Sequence, residues 1–192
     1  MQLDQNYWEN RYVQKSTGWD LAKVSSPLFT YFKQLKNKDI KILIPGGGFN
    51  HEAEYLFKNG FKNVFIAEFS KTALIQFKER NPSFPKEQLL EVDFFLLKDK
   101  FDLIIEQTFF CALDPSSREK YVEQMYSLLT PNGKLVGLLF DRMFETNPPF
   151  GGNKSEYLKL FSTHFNISIM EDCYNSENAR MGTELFIKFL KL

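Results

Sequence analysis

The chain is predicted to fold as an α/β domain: a doubly wound, mostly parallel sheet of seven strands with a helical N-terminal extension. Three observations carry the prediction. From residue 40 onward, apolar runs of strand length alternate with helix-length amphipathic stretches. The run over residues 101–106 contains Ile104-Ile105, apolar at successive positions, as a strand covered on both faces requires. The turn Gly46-Gly47-Gly48 joins the first apolar run directly to a helical pattern.

The elements follow in order. Residues 4–36 read as mainly helical, with Tyr7, Trp8, Arg11 and Tyr12 at helical spacing. Ser25-Ser26-Pro27 opens a helix to about residue 35, with Pro27 where a missing N–H costs little. Strands are expected over residues 40–44, 64–68, 89–92, 101–106 and 134–140, and helices over 50–58 and 71–79. Asn59-Gly60 and Asn81-Pro82 end those two helices. Asp114-Pro115 places an N-cap and a first-position proline ahead of a long amphipathic helix through residue 129. Thr130-Pro131-Asn132-Gly133 reads as the turn after it. A helix over 157–165 precedes a terminal antiparallel pair over 167–171 and 183–188. No repeat or linker interrupts the 192 residues, so one domain is expected: residues 1–36 as an N-terminal segment and 37–192 as the α/β core.

Composition narrows the function classes. Lys+Arg and Asp+Glu both number 24, so no general attraction to nucleic acid or an anionic membrane is expected. No apolar run reaches the eighteen or so residues of a membrane span. The start, Met1-Gln2-Leu3-Asp4-Gln5-Asn6, lacks the basic-then-apolar order of a leader, and a cytoplasmic location is expected. Cys111 and Cys173 lie far apart with no metal-type spacing, so both are expected as reduced thiols and no metal site is expected.

The chemistry is concentrated at the expected strand ends. The glycine turn lets a ligand approach the backbone closely, and Glu68, ending the second strand, can accept two ribose hydroxyls. Nicotinamide enzymes, flavoproteins and S-adenosylmethionine enzymes share that layout. Asn50 or His51 falls where a dinucleotide loop has its third glycine, which disfavours a pyrophosphate there. Asp93, just past the third strand, can accept an adenine amine beside Phe94. The terminal antiparallel pair is an arrangement common in methyltransferases. A nucleoside without phosphates fits better than a dinucleotide. The plainer alternatives are a surface salt bridge for Glu68, a cap for Asp93, structural roles for His51 and His164, and simple burial for Cys111.

The run from Phe101 to Pro115, with Glu106-Gln107-Thr108-Phe109-Phe110-Cys111 at its centre, closely resembles the fourth-strand motif of the thiopurine S-methyltransferase (TPMT) family. The nearest branch is that of the thiol/halide methyltransferases. Tyr7-Trp8-Glu9-Asn10-Arg11-Tyr12, Thr17-Gly18-Trp19-Asp20, Ser26-Pro27-Leu28, Ile44-Pro45-Gly46-Gly47-Gly48 and Asn147-Pro148-Pro149-Phe150 extend the resemblance over essentially the whole chain. It implies a Rossmann-like class I methyltransferase fold, S-adenosyl-L-methionine as cofactor with S-adenosyl-L-homocysteine as product, and residues 1–36 as a lid. Tyr12 and Trp19 would close over the cofactor, Gly46 and Gly48 would form its loop, and Glu68 would hold its ribose. Asp93 and Phe94 would hold its adenine, and Gln107 would lie near its methionine end. Tyr12 stands where the family often has Trp, and Gln107 where branches have Arg or Tyr.

Asn147-Pro148-Pro149-Phe150 also resembles the tetrapeptide by which amino-methyltransferases bind an amide, but that motif follows the fourth strand and this one follows the fifth. Here it is expected to border the acceptor. Trp19, Phe109, Phe110 and Phe150 are expected to line an aromatic acceptor site suited to a polarisable nucleophile and a cationic sulfonium. In-line methyl transfer to a thiol or to a sulfur-, selenium- or halide-type anion needs no strong general base, and none is evident. The expected partner is a small-molecule acceptor, without nucleic acid or membrane, on a monomer or weak homodimer. The alternatives are an oxygen or nitrogen acceptor, an aromatic thiol, or a binding protein that has lost turnover.

Overall fold

The structure, a computed structural model, describes residues 3–192; Met1 and Gln2, the start of the stretch read for a leader, lie outside them. The seven strands are β1 (Ile42–Pro45), β2 (Val64–Glu68), β3 (Leu89–Glu91), β4 (Phe101–Gln107), β5 (Leu129–Phe140), β6 (Phe165–Asp172) and β7 (Glu184–Lys191). The helices are α1 (Gln5–Val13), α2 (Ser26–Phe32), α3 (His51–Lys58), α4 (Lys71–Arg80), α5 (Arg118–Leu128) and α6 (Lys154–Phe161). One sheet runs in the order β3-β2-β1-β4-β5-β7-β6. β7 lies antiparallel between β5 and β6, and the other recorded pairings are parallel. The order runs outward from β1 on one side and from β4 on the other. In such sheets a crevice opens beyond the carboxyl ends of those two strands, because their following loops diverge to opposite faces.

Alternation along each strand divides the core into two layers. Ile42, Ile44, Ile66, Leu103, Ile105 and Val136 point to one face and pack against Leu28 and Phe32 of α2, Leu56 of α3 and Phe77 of α4. Leu43, Ala67, Ile104, Leu135 and Ile187 point to the other and meet Tyr121 and Met125 of α5 and Phe161 of α6. Ten of the 21 phenylalanines are buried here, Phe110 and Phe161 among them.

Three of the boundaries that differ from the sequence reading have an identifiable physical reason. Asp114 Oδ1 accepts from Ser116 N at 2.9 Å and closes a 3₁₀ turn over Pro115–Ser117, so the α-helix begins only at Arg118. The expected turn over 130–133 lies inside β5: Phe101 is opposite Leu129 but Leu103 is opposite Lys134, and Asn132 takes φ +63° within this bulge. The late helix ends at Phe161 rather than 165, because Phe165 opens β6 opposite Lys191. Among the described residues no helix is long and apolar enough to cross a membrane.

Candidate active site

A cavity of about 430 Å³ opens beyond the carboxyl ends of β1, β2, β4 and β5 and is covered by the N-terminal segment. Its floor is the loop after β1. Gly46 and Gly48 take φ +55° and +57°, a region that L side chains rarely adopt. A Cβ on Gly46 would overlap the Phe109 ring, and one on Gly48 would meet the Tyr12 hydroxyl. The turn is therefore shaped so that backbone, not side chain, faces the cavity.

Glu68 ends β2 and is only 5% exposed. Its Oε2 accepts from Gly48 N at 3.0 Å and its Oε1 from Ser70 N at 3.0 Å, so one carboxylate braces the glycine turn and the start of α4. Burial raises its pKa, opposed by those backbone N–H groups. Asp93, past β3, uses Oδ1 to accept from Phe95 N at 2.8 Å, which fixes its orientation at the cavity wall. Phe94 beside it meets the Phe109 ring edge-on at 5.1 Å. Each carboxylate retains acceptor capacity beyond these bonds, which is what hydroxyl and amine recognition requires.

The cover is built from aromatic edges. Tyr12 packs T-shaped on Trp19 at 5.8 Å and on Phe49 at 5.5 Å, and Trp8 meets Trp19 at 5.7 Å. The Arg11 guanidinium stands 5.2 Å over the Trp19 ring. Burial, then the Glu68 charge, pushes the Tyr12 pKa up, so its phenol stays neutral. Glu9 ties α1 to the core: its Oε2 accepts from Ser70 Oγ at 2.6 Å and Thr72 N at 3.2 Å, and its Oε1 from Thr72 Oγ1. Downstream, Asp20 pairs with His51 at 2.9 Å, and Arg180 donates to the Trp19 carbonyl at 2.9 Å. The cover is thus pinned to α3, α4 and the loop before β7.

At the opposite end the wall is aromatic and cationic. Arg180 stacks over Phe140 at 5.6 Å, Phe140 meets Phe144 at 5.0 Å, and Arg142 stands over Phe144 at 4.6 Å. Arg180 is paired with Glu184 at 3.4 Å. Arg142 has no carboxylate within ion-pair distance among the described residues. Pro148 and Pro149 complete the rim.

Of the residues singled out in the sequence, Tyr12, Trp19, Gly46, Glu68, Asp93, Phe94 and Phe109 line this cavity. Gly48 sits behind it, its N–H committed to Glu68. Gln107, Phe110 and Phe150 are corrections to the expected lining. Strand alternation turns Gln107 toward α2, where Ser25 Oγ lies 3.5 Å from its Oε1. Phe110 is buried among Tyr121, Tyr157 and Phe161. Phe150 N donates to the Cys111 carbonyl at 2.6 Å, and its ring is not part of the wall. Cys111 does reach the wall, but burial pushes its thiol pKa up and its Sγ donates to the Thr108 carbonyl, which is no setting for a nucleophile. His164 lies away from the cavity, against Thr163 and Tyr126. No group of His, Cys, Asp and Glu that could hold a metal occurs among the described residues.

Sequence reasoning missed Arg142, Arg180 and Glu106. Arg142 lies just past β5 in an isolated bridge to Gly152 and Arg180 ends a 3₁₀ turn before β7, neither within a periodic pattern. Glu106 did carry a signal: an ionisable residue directly after the apolar run Leu103-Ile104-Ile105 of a central strand.

Comparison with known proteins agrees with this geometry. The family profile "Thiopurine S-methyltransferase (TPMT)" matches residues 3–186. The chain is 30% identical over 159 residues to probable thiol methyltransferase 2 of Arabidopsis thaliana, covering 80% of this chain and 70% of that relative. It is 28% identical over 199 residues to thiocyanate methyltransferase 1 of Brassica oleracea, covering 99% and 87%. The fold matches Burkholderia thailandensis 1,6-didemethyltoxoflavin-N1-methyltransferase, solved with S-adenosylhomocysteine, with a TM-score of 0.77 at 13% identity, over 98% of this chain and 87% of that one. With sheet order, glycine turn and family match in agreement, the chain belongs to the thiopurine S-methyltransferase family and is an S-adenosylmethionine-dependent methyltransferase.

Proposed function

We propose that the enzyme methylates a small thiol or a sulfur-, selenium- or halide-type anion. The observation that carries the proposal is the charge distribution of the cavity. Its carboxylates, Glu68 and Asp93, lie at the β2–β3 end, whereas the far wall carries Arg142 and Arg180 on Phe140 and Phe144. Arg142 lacks a carboxylate partner among the described residues, and an anionic acceptor would supply the missing counter-charge. The relatives named for thiol and thiocyanate methylation favour the same acceptor class.

The residues fit the cofactor. Glu68 would accept the ribose hydroxyls while still holding Gly48 N, and Asp93 would accept the adenine amine with Phe94 and Phe109 against the base. Gly46 would face the amino-acid portion. The cofactor supplies an electrophilic methyl on a sulfonium, which the acceptor's lone pair takes as the carbon–sulfur bond electrons return to sulfur.

The chain's part is binding, orientation and exclusion of water. Tyr12 and Trp19 close the cover, the aromatic wall admits a weakly hydrated anion, and Arg142 draws it in. An anion, or a thiol that enters as its thiolate after leaving its proton to solvent, has no proton to lose in the site, which accords with Cys111 being held neutral and His51 being committed to Asp20.

The test has two parts. Calorimetric titration with S-adenosylmethionine and S-adenosylhomocysteine measures the pocket, and mass detection of methylated thiocyanate, iodide, selenite and aryl and alkyl thiols identifies the acceptor. Cofactor binding with no methylated product from this panel would refute the acceptor class.

A further inference from the structure

Beneath the cavity lies a buried acid whose own side chain is not part of its lining. Glu106, in β4, is 0% exposed. Its Oε1 accepts from Phe109 N at 2.8 Å and from Phe110 N at 3.0 Å, and its Oε2 accepts the Tyr121 hydroxyl of α5. The neighbouring strand is shaped to admit it: a Cβ on Gly137 of β5 would overlap the Glu106 carbonyl and Cβ. Thr108, between the strand and the corner, takes φ +57°, an uncommon conformation for threonine. The carboxylate thus folds the chain back at Thr108 and presses the Phe109 ring between Gly46 and Phe94. Thr108, Phe109, Cys111, Ala112 and Leu113, all on this corner, line the cavity.

We infer that Glu106 is an ionisable positioning residue: its carboxylate holds the Phe109 corner in the geometry that methyl transfer requires. Charge matters because a carboxylate accepts two N–H bonds more strongly than the neutral acid does. In the acid form, Oε2 must also give its proton to Tyr121, whose hydroxyl is then no longer a donor to it. The groups facing Glu106 are the Phe109 and Phe110 amides, the Tyr121 phenol and the Cys111 thiol; no lysine, arginine or histidine forms an ion pair with it among the described residues. Burial, against the bonds from Tyr121, Phe110 and Phe109, raises its pKa to about 7. The corner therefore loosens as pH falls through neutrality.

The inference rests on methyl transfer as the reaction, and its test separates it from the acceptor assignment. In the full chain, amide NMR signals of Phe109 and Phe110 are followed from pH 5.5 to 8.5 in wild type and Glu106→Gln. Both should titrate near pH 7 in wild type and stay still in the variant, whose single amide oxygen can serve both N–H groups. Thiocyanate is the acceptor for kinetics because it does not titrate in this range. Wild-type kcat should fall about tenfold from pH 8 to pH 6, the ratio of ionised fractions for a group titrating at 7. Glu106→Gln should be pH-flat and within tenfold of wild type at pH 8, and Glu106→Ala should lose more than tenfold in kcat. The Kd for S-adenosylhomocysteine should stay within threefold in Glu106→Gln. An acid limb or amide titration that survives in Glu106→Gln would overturn the inference, as would cofactor affinity lost in step with kcat. If thiocyanate is not methylated, the acceptor assignment fails, and the amide titration still decides the role of Glu106.

Discussion

Glu68→Gln separates what this residue does for the loop from what it is proposed to do for the cofactor. In the structure Oε1 and Oε2 each accept a backbone N–H, from Ser70 and from Gly48. A glutamine has one carbonyl oxygen, so it can serve only one of them and must turn its NH₂ toward the other. One buried N–H is left unpaired, at a cost of about 1–3 kcal/mol. For a domain of this size that lowers Tm by about 2–12 °C, measurable by thermal scanning. The ribose would also lose a charge-assisted acceptor, worth about 1–3 kcal/mol again, or roughly 5- to 150-fold in cofactor Kd by calorimetry. A lowered Tm with unchanged cofactor Kd would show that Glu68 only braces Gly48 and Ser70, and the ribose assignment would be wrong.

Other perturbations probe different parts of the molecule. Gly46→Ala places a Cβ into the Phe109 ring at φ +55°; cofactor affinity should drop at least tenfold, and wild-type affinity would disprove the close approach at this turn. Arg142→Gln should raise the KM for thiocyanate about fivefold, from roughly 1 kcal/mol of solvent-screened attraction, with kcat preserved; an unchanged KM would remove Arg142 from acceptor capture. Glu9→Ala removes the acceptor that ties α1 to Ser70 and Thr72; hydrogen exchange over Gln5–Val13 should accelerate and the cofactor KM should rise several-fold. Stability should also depend on pH through Glu106. Its folded pKa, about 7, lies above the ordinary carboxylate value, so the native state binds the extra proton between about pH 4.5 and 7. Its contribution is then full at low pH and is lost as pH rises through this window, by up to about 3 kcal/mol. Denaturation midpoints at pH 5 and pH 7 should differ less in Glu106→Gln than in wild type; equal differences would place the titration elsewhere.

The order and type of the elements were legible in the residues themselves, because hydrophobic period and proline and glycine placement act within a few residues. The pattern of apolar pairs marked β4 as a central strand, and the glycine turn followed by Glu68 marked the nucleoside end of the site. Local chemistry could not place what neighbouring strands decide: the turn over 130–133 became a bulge inside β5 because β4 sets its register. Tertiary structure alone decided which side chains reach the cavity. Gln107 and Phe110 flank Thr108 and Phe109 in the chain, yet strand alternation and the turn at Thr108 send the first toward α2 and the second into the α5–α6 layer. Arg142 and Arg180 are 38 residues apart in numbering and reach the same cavity wall because β5 and β7 are paired. Glu106 is the clearest case. Its charge among isoleucines was visible in the sequence, but its partners were not, since Tyr121 comes from a helix that the fold lays across the end of the strand.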